Sequence, residues 1–407
     1  MSLTPFIKTK YCEEKKMNER KFPLPEGAVE PSPASRWTEV SKVENADVKD
    51  LTAYCKQLEA EGFLPVMKNE LPGGVFYAYV KDDVKLSVSY LYGRKDLRVF
   101  SEKRPVAPDF NTMGEKKFEK PSFTLFGTHS STSEVCSTAS GMGLVLKLTD
   151  GRLVVVDGGW QSPNFDSDYP DFVQLLRDLS GEERPRVSLW IITHSHEDHY
   201  TVLSEMKPED AQIDAYMICL PVQGVTDGAS EKLMRLIPDY AEKNIPPHAG
   251  DYYDFGDAKM TVLTCCEEAQ LYDTRALADG NNQSTILTFT VAGQKIMVTG
   301  DAYYHPEDLA MEVAGEEIAC EICQIAHHGR THPKDDHFYM AVAPKVALWP
   351  GCYAQIDNDL KERRVNTWIF ESGECTITDH YVAYDGTVTL DLPYTPKGLP
   401  YCSEGKY

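Results

Sequence analysis

The stretch VSLWIITHSHEDHY, residues 187–200, joins a run of apolar residues to a dense group of polar ones. Residues 187–192 are mostly aliphatic, β-branched or aromatic, which predicts a buried strand that is followed by a polar loop after Thr193. That loop carries three histidines and two acidic residues within six positions, His194 to His199. Packing alone does not concentrate so many imidazoles and carboxylates, which are common metal ligands, so the sequence predicts a metal site here.

The composition describes a large acidic chain. Its 407 residues exceed one typical domain, so we expect two domains. A formal net charge of −22, from 63 acidic and 41 basic side chains, repels phosphate backbones and anionic membranes at long range. No apolar run approaches the roughly 20 residues that span a bilayer. We therefore expect a soluble protein that acts on a small molecule, with no membrane partner and no nucleic-acid partner unless a local basic groove exists.

The N-terminal segment and the cysteines both favour a cytoplasmic protein. The first 22 residues are charged and lack the apolar core of a secretory signal. Eleven cysteines are an odd number without framework spacing, so we expect reduced thiols. Cys320 and Cys323 have the spacing of a zinc or redox pair. They lie on a predicted strand, however, where thiols usually serve as small buried apolar groups.

Three segments follow one another along the chain. Residues 1–36 are charged and proline-rich and predict an irregular arm. Residues 37–118 predict a small α+β accessory domain, with a helix over 47–61 followed by a meander of short strands. Residues 119–407 alternate strands, loops and helices and predict one larger domain, with helices over 168–179, 230–242 and 307–313. The small domain is either a partner-binding unit or a structural cover for the large one.

Hydrophobic strands end in polar clusters four times in the larger domain. The clusters are Asp157, the group from His194 to His199, Asp301, and the pair His327-His328. Strand ends at one edge of a pair of sheets converge in space. We therefore expect these four clusters to build one site.

Three of these clusters carry a family resemblance. HSHEDH at 194–199 resembles the HxHxDH signature of the metallo-β-lactamase-fold hydrolases, with Asp157 in the place of the first acidic motif of that fold. TGDA at 299–302 resembles the motif that supplies the bridging aspartate, and QIAHHGR at 324–330 resembles the HHG variant of the last motif.

Two further segments narrow the resemblance to one branch. GNNQSTIL at 280–287 and PKVALW at 344–349 accompany the HHG motif. The combination resembles the branch that contains the hydrolase domain of ComEC-type proteins and the phosphorylcholine esterases of teichoic acid. The resemblance implies a mixed α/β (α+β) fold, the four-layer αββα metallo-β-lactamase sandwich, preceded here by the small N-terminal α+β domain.

The resemblance also implies two divalent metal ions, zinc foremost, with manganese or iron as alternatives. The implied ligands are His194 and His196 for metal one, Asp198, His199 and one of His327 and His328 for metal two, and Asp301 for both. We favour His328 as the ligand of the adjacent pair.

Roles for the remaining residues follow from the same resemblance. A hydroxide held by the two metals would be the nucleophile, with Asp198 and His327 as the catalytic residues. His327 would face the substrate and either contact a phosphoryl oxygen or protonate a leaving group. Asp157 would accept a hydrogen bond from a ligand histidine and fix its tautomer. Candidate substrate-binding residues are Asn282, Ser284 and His332, and Asn281 of the same turn could also contact substrate, although asparagine-rich turns need no such reason.

Metal one lacks an expected ligand. Many members of the fold supply a third histidine between the first motif and the bridging aspartate, but this interval contains only His248. Cys265, Cys266 or Glu267 could substitute, or metal one could be held loosely with additional water. Full occupancy of both positions is therefore an open question.

These residues lead to a functional hypothesis with two alternatives. We expect a metal-dependent hydrolase that cleaves a phosphoester or phosphodiester. A lactone or amide hydrolase would use the same nucleophile. A non-catalytic or redox metal-binding protein is less favoured, because flavodiiron-type relatives carry Glu where this chain has His196. The sequence leaves the natural substrate, the metal and the oligomeric state undetermined.

Overall fold

Three β-sheets organise the chain in the computed structural model, which describes residues 21–35, 37–102, 107–111, 115–133, 140–161, 164–220, 240–272, 279–330, 336–362 and 375–404. The strands are β1 Ser32–Pro33, β2 Thr38–Val43, β3 Leu64–Leu71, β4 Gly74–Lys81, β5 Val84–Leu91, β6 Asp96–Glu102, β7 Ser122–Leu125, β8 Gly143–Lys147, β9 Leu153–Asp157, β10 Arg186–Ile192, β11 Gln212–Ile213, β12 Tyr216–Ile218, β13 Tyr252–Asp254, β14 Ala258–Thr264, β15 Ile286–Val291, β16 Gln294–Val298, β17 Ile322–Gln324, β18 Val346–Trp349, β19 Asp379–Val382 and β20 Val388–Asp391.

The α-helices lie between these strands. They are α1 Val48–Ala60, α2 His129–Thr132, α3 Tyr169–Ser180, α4 Glu197–Glu205, α5 Tyr240–Lys243, α6 Cys266–Tyr272, α7 Tyr304–Ala314, α8 Asp336–Val342 and α9 Tyr353–Glu362. Short 3-10 turns occur at Gly280–Gln283, Gly315–Ile318, His327–Gly329 and Ala383–Asp385. Among the helices within the described ranges, none is long and apolar enough to cross a membrane.

The N-terminal sheet has the strand order β1-β2-β6-β5-β4-β3 and is antiparallel throughout. Helix α1 begins at a capping box in which Asp47 accepts from the Lys49 N–H and Asp50 accepts from the Asp47 N–H. The helix and strand meander predicted for this region are confirmed. Ser32–Pro33, in the segment predicted to be an irregular arm, pairs with β2. The helix packs on the sheet through the apolar side chains Leu51, Tyr54, Cys55 and Leu58.

The other two sheets face each other and form a sandwich. The first sandwich sheet has the order β11-β10-β9-β8-β7-β20, with β12 also paired to β10, and the second has the order β13-β14-β15-β16-β17-β18-β19. Each sheet combines an antiparallel part with a parallel part. β9 and β10 are parallel neighbours in the first sheet, and β16, β17 and β18 are parallel neighbours in the second.

Alternating side chains place a core between the sheets and helices outside them. On β10, Leu189 and Ile191 face the second sheet, whereas Trp190 and Ile192 pack against side chains of α3 and α4. The outer face of the second sheet packs in the same way against α7, α8 and α9. This arrangement gives the four layers αββα and confirms the predicted fold class. The strands are buried on both faces, which explains their nearly continuous apolar sequences.

The parallel strands bring the predicted polar clusters to one edge of the sandwich. β9 ends at Asp157 and β10 ends one residue before Thr193, so both clusters of the first sheet follow parallel strands. In the second sheet, β16 ends at Val298 and β17 ends at Gln324, shortly before Asp301 and the pair 327–328. The predicted convergence of the four clusters is therefore confirmed by hydrogen bonds and contacts between them.

Two predictions about individual segments have different outcomes. The helix predicted over 230–242 lies mostly outside the described residues, of which Tyr240–Lys243 is helical. The expectation of reduced thiols throughout is wrong, because Cys219 and Cys266 form a disulfide with a Cα–Cα distance of 6.1 Å. These residues are 47 positions apart, and the topology brings the end of β12 to the start of α6. Disulfides are rare in the cytoplasm, so this pair does not favour the cytoplasmic location, which stays a prediction.

The N-terminal sheet contacts the sandwich through backbone and charged groups. The Gly73 N–H donates to the Val313 carbonyl oxygen at 3.1 Å, and Arg94 forms an ion pair with Glu312 at 2.7 Å. A second contact contains a fully enclosed group of charges. We call it the interface charge cluster, and its members are Lys85, Arg98, Glu102, His248, Asp251, Glu267 and Glu268.

Candidate metal centre

The loop after β10 delivers four of the predicted ligands through a strand-to-helix turn. His194 follows the strand, His196 occupies the N-cap of α4, and Asp198 and His199 lie in the first turn of that helix. Acidic side chains in the first turn are favourable because the N-terminus of a helix carries a partial positive charge. The local sequence therefore explains why the loop bends back into a helix within a few residues of the strand.

One cluster contains four potential metal ligands. The Nε2 atoms of His199 and His328 lie 3.2 Å and 3.3 Å from Asp301 Oδ2. His328 Nε2 also lies 3.2 Å from Asp198 Oδ2. The donor atoms of these four residues lie within 4.8 Å of one another, which suits a single divalent cation. We call this group the four-ligand cluster.

A second cluster shares the carboxylate of Asp301. Its members are His194, His196 and Asp301, with donor atoms again within 4.8 Å of one another. His194 Nε2 lies 3.9 Å from Asp301 Oδ2 and 3.0 Å from His196 Nδ1. We call this group the three-ligand cluster. Because Asp301 belongs to both clusters, it could bridge two cations.

Asp157 orients the first group of histidines through hydrogen bonds. Its Oδ2 accepts from His199 Nδ1 at 2.7 Å and from Thr193 Oγ1 at 2.9 Å, and its Oδ1 accepts from the Thr193 N–H at 2.8 Å. The proton of His199 is thereby placed on Nδ1, which leaves the Nε2 lone pair for a cation. Since Thr193 Oγ1 donates to Asp157, it accepts from His194 Nδ1 at 3.1 Å and sets the same tautomer there.

The adjacent histidines after β17 take different positions. Both have left-handed backbone angles, φ 50° for His327 and φ 58° for His328, a conformation that non-glycine residues rarely adopt without a local reason. His328 Nδ1 donates to the Pro350 carbonyl oxygen at 2.9 Å, so its Nε2 is free to face Asp301. His327 Nδ1 donates to the Arg330 carbonyl oxygen at 3.0 Å, and His327 belongs to neither cluster.

The charges at the four-ligand cluster indicate competition between protons and a cation. Burial lowers the pKa of His328, but the carboxylates of Asp301 and Asp198 outweigh burial and raise it to about 9. Asp301 and Asp157 likewise raise the pKa of His199 well above its ordinary value against the effect of burial. In the protein without a metal, protons on these histidines balance the buried carboxylates. A bound cation would take over that role, since it needs the same nitrogen lone pairs.

Unpaired polar atoms support the fit of a cation. Asp301 Oδ1 is buried and makes no hydrogen bond in the part of the chain that the structure describes, and the buried Nε2 atoms of His199 and His328 lie 3.2 to 3.3 Å from carboxylate oxygens without hydrogen-bond geometry. Buried polar groups in native proteins are nearly always paired. These three atoms come from three separate segments and lie close together, which fits a metal position.

The turn Gly280–Gln283 packs against the three-ligand cluster. A Cβ atom placed on Gly280 would lie 2.4 Å from His196 Nε2, so only glycine fits there without a shift. Asn282 is buried, with an Oδ1 atom that makes no hydrogen bond in the described ranges. Ser284 Oγ accepts from the Asp301 N–H at 3.2 Å and thus contacts a ligand residue. His332 lies outside the described residues.

The structure shows new contacts of Asn281 and brings in Tyr303, which the sequence did not single out for the site. Asn281 Nδ2 lies 3.1 Å from the Tyr303 hydroxyl and 3.4 Å from His327 Nε2. Tyr303 follows Asp301 by two positions, and this proximity in the sequence could have predicted that it lies near the site. Pro350 and Arg330 accept the histidine protons through their backbone carbonyl oxygens. Every residue has such a carbonyl group, so the residue type does not predict these contacts.

The residues considered as a third ligand for metal one are engaged elsewhere. Cys266 is bonded to Cys219, and Cys265 Sγ contacts the Pro247 carbonyl oxygen at 3.3 Å. His248 Nδ1 pairs with Glu267 Oε2 at 2.7 Å inside the interface charge cluster. Among the described residues, the three-ligand cluster therefore contains two histidines and one aspartate.

Comparisons with known proteins concern the fold. No protein-family model and no curated protein matches the sequence. The structure is similar to a mutant of the CmlA β-hydroxylase, with 12% identity, a TM-score of 0.40 and coverage of 78% of this chain and 73% of that chain. It is also similar to the flavodiiron protein from Giardia intestinalis, with 12% identity, a TM-score of 0.32 and coverage of 60% and 57%.

A third similarity is to a proposed zinc-dependent hydrolase of the metallo-β-lactamase superfamily from Thermotoga maritima, with 9% identity, a TM-score of 0.26 and coverage of 61% of this chain and 87% of that chain. The described part of the chain itself has a mixed α/β architecture with two sheets packed face to face. The two His/Asp clusters at its edge fit metal binding.

Proposed function

We propose that the protein is a metal-dependent hydrolase that cleaves a phosphoester or phosphodiester of a small molecule. The observation that carries this proposal is the pair of His/Asp clusters that share Asp301. Two positions joined by one carboxylate suit two cations a few ångströms apart. Two-cation sites of this kind catalyse hydrolytic displacements at phosphorus.

The two clusters of ligand residues correspond to two metal positions. We propose that the four-ligand cluster holds one divalent cation, that the three-ligand cluster holds the other, and that zinc is the first candidate for both. When bound, such a pair supplies an activated water and neutralises the charge that builds up on a phosphoryl oxygen.

The protein's own contribution is to hold the ligands in place before any cation binds. Asp157 and Pro350 accept the Nδ1 protons of His199 and His328, so both Nε2 atoms face Asp301 without rearrangement. Asp198 is the ligand residue of this cluster whose side chain is partly exposed, at 20%. We propose that substrate approaches the cluster from the side of Asp198.

Phosphoester cleavage is favoured over the alternatives by two features of the chain. Position 196 is His, whereas the redox relatives considered above carry Glu there. The HHG motif at 327–329 accompanies phosphoester chemistry in the branch that the sequence resembles. A small substrate is favoured over a polynucleotide because a net charge of −22 repels long phosphate backbones.

Metal analysis combined with two substrate panels tests the proposal. We expect two equivalents of a divalent metal per chain and turnover of bis(p-nitrophenyl) phosphate, with lactones hydrolysed much more slowly. His199→Ala should reduce phosphodiester turnover by roughly 10³-fold or more, since it removes a ligand from the catalytic cation. His337→Gln, at a surface pair with Asp308, serves as the matched control and should leave turnover unchanged.

Each contrary result has a separate meaning. Absence of phosphodiester turnover with every divalent metal would overturn the proposed reaction, and fast lactone opening in the same preparation would replace it. An iron chromophore that responds to reductants would favour redox chemistry. Full activity of the His199 variant would refute the proposed site.

A further inference from the structure

Three polar side chains form a row that leads outward from the metal clusters. His327 Nε2 lies 4.0 Å from Asp301 Oδ2, Asn281 Nδ2 lies 3.4 Å from His327 Nε2, and the Tyr303 hydroxyl lies 3.1 Å from Asn281 Nδ2. The rings of Tyr303 and His327 also meet edge to face, with centroids 5.3 Å apart. We call these three residues the polar wall.

The hydrogen bonds of the wall determine which atoms are donors. The Arg330 carbonyl oxygen can only accept, so the neutral ring of His327 carries its proton on Nδ1 and presents a lone pair at Nε2. The neighbour of that lone pair must then be a donor, which assigns the NH₂ group of Asn281 to this side. The same NH₂ group donates to the Tyr303 oxygen.

This assignment leaves one acceptor of the wall without a partner. Asn281 is only 5% exposed, and its Oδ1 makes no hydrogen bond with any residue in the described ranges. Burying a carbonyl oxygen without a hydrogen-bond donor costs free energy, so such an atom usually binds a water molecule or a ligand. A ligand that satisfies it must bring an O–H or N–H group.

A phosphoryl group cannot be that partner. Its ionised oxygens accept hydrogen bonds and donate none, and the proposed cations already provide for their charge. The matching donor must therefore come from the organic part of the substrate, at the side of the clusters where Asn281 and His327 lie.

We propose that the polar wall is a binding subsite for an organic ester arm that carries a hydroxyl or ammonium group. The inference rests on the proposed phosphoester hydrolysis and names its substrate class, an ester of a hydroxylated or amino alcohol. Asn281 Oδ1 accepts a hydrogen bond from that arm. An arm of the same length that ends in a methyl group leaves this acceptor unpaired and binds less well in the transition state.

Three p-nitrophenyl phosphodiesters of matched length test this subsite. Their second arms are 4-hydroxybutyl, 4-aminobutyl and pentyl, and all three release p-nitrophenol, so the chemical step is the same. We expect kcat/KM of the wild-type protein to favour at least one polar arm over pentyl by roughly tenfold. Comparison of the two polar arms distinguishes a hydroxyl from an ammonium donor.

Two variants of Asn281 test whether this residue causes the preference for polar arms. Asn281→Leu keeps the approximate shape without polar atoms and should bring the polar-to-pentyl ratio close to one. Asn281→Asp keeps the acceptor and adds charge, so it should shift the preference toward the aminobutyl arm even if the Leu variant fails to fold. Tyr304→Phe, at the adjacent tyrosine, is the matched control and should change neither ratio nor rate.

The outcomes separate this inference from the proposed function. Equal kcat/KM for all three diesters in the wild-type protein would overturn the subsite and leave the hydrolase proposal standing. A polar-arm preference that survives in Asn281→Leu, or the absence of a shift toward the aminobutyl arm in Asn281→Asp, would also overturn it. Hydrolysis of none of the diesters, nor of bis(p-nitrophenyl) phosphate, would overturn both.

Discussion

At the scale of single residues, the two clusters predict separable metal losses. His328 belongs to the four-ligand cluster and His194 to the three-ligand cluster. We expect His328→Ala and His194→Ala each to reduce metal content by about one equivalent per chain, measured by elemental analysis after dialysis. Asp301→Ala should remove both equivalents, because this carboxylate is shared. Retention of two equivalents in the Asp301 variant would show that the clusters do not hold metals as proposed.

The position of Asp157 predicts that its substitution changes metal affinity rather than the number of metal ions bound per chain. It touches no proposed cation position directly, but it accepts the Nδ1 proton of His199 at 2.7 Å. We expect Asp157→Asn to weaken metal affinity by about 10- to 100-fold, since an amide can present an N–H to the ring and disturb the tautomer. Competition with a chelator of known affinity measures this change.

A second buried aspartate provides the control for Asp157. Asp168 also accepts from backbone groups, the N–H of Trp160 and of His129, both at 2.7 Å. Asp168→Asn should lower the melting temperature without changing metal affinity. Equal loss of affinity in both variants would mean that Asp157 acts through general stability.

At the scale of elements, the turn Gly280–Gln283 predicts a steric test of the three-ligand cluster. A methyl group at position 280 would lie 2.4 Å from His196 Nε2, so Gly280→Ala must displace either the ring or the turn. We expect the variant to lose the cation of the three-ligand cluster and retain the other. Gly93→Ala is the control, because its added Cβ would meet the carboxylate end of the flexible Glu312 side chain at 3.2 Å. Two equivalents with unchanged affinity in the 280 variant would contradict the proposed contact.

The same elements show which features a sequence can predict. The strand of residues 187–192 and the ligand loop after it are local patterns, and each could be recognised from residue types within a short window. The edge at which four strand ends meet follows from the parallel pairing of β9 with β10 and of β16 with β17. Asp157 was predicted from the family resemblance as a support for a ligand histidine, and it does bond His199.

Features that depend on distant segments escaped prediction for a physical reason. Asn281 contacts His327 across 46 positions, and Cys219 is bonded to Cys266 across 47 positions. No periodicity links such partners, because their encounter is set by the packing of whole strands and helices. The hydrogen bonds from His328 and His327 to the carbonyl oxygens of Pro350 and Arg330 could not be predicted either, since every residue carries the same backbone acceptor.

At the scale of the whole molecule, the segment considered for a missing metal ligand instead connects the sandwich to the N-terminal sheet. Glu267 begins a chain of buried charges that continues through His248 to Glu102 and Lys85 of the N-terminal sheet, with a Lys85–Glu102 distance of 2.9 Å. Burial lowers the pKa of His248, but Glu267, Glu102 and Asp251 outweigh burial and raise it to about 10. Lys85 faces the same carboxylates, which raise its pKa as well.

These shifts determine the sign of the pH dependence of stability. The pKa of His248 in the folded protein is about 10, above the ordinary value of 6.5, so its stabilising effect is complete below pH 6.5 and disappears as the pH rises through 10. Glu102 has a pKa lowered to about 2, because Lys85 and His248 outweigh burial, so its contribution is lost only as the pH falls through that value. The cluster should therefore stabilise the protein most from mildly acidic to neutral pH.

We expect the wild-type protein to lose of the order of 3 kcal/mol more unfolding free energy between pH 7 and pH 10 than His248→Gln does. The variant should be less stable at pH 7, because Glu267 and Glu102 stay buried without a cationic partner between them. Urea unfolding at both pH values measures the difference, and His337→Gln at the surface controls for general effects of losing a histidine. Parallel stability curves for wild type and the His248 variant would show that His248 is neutral in the folded protein and would contradict its proposed role in the interface charge cluster.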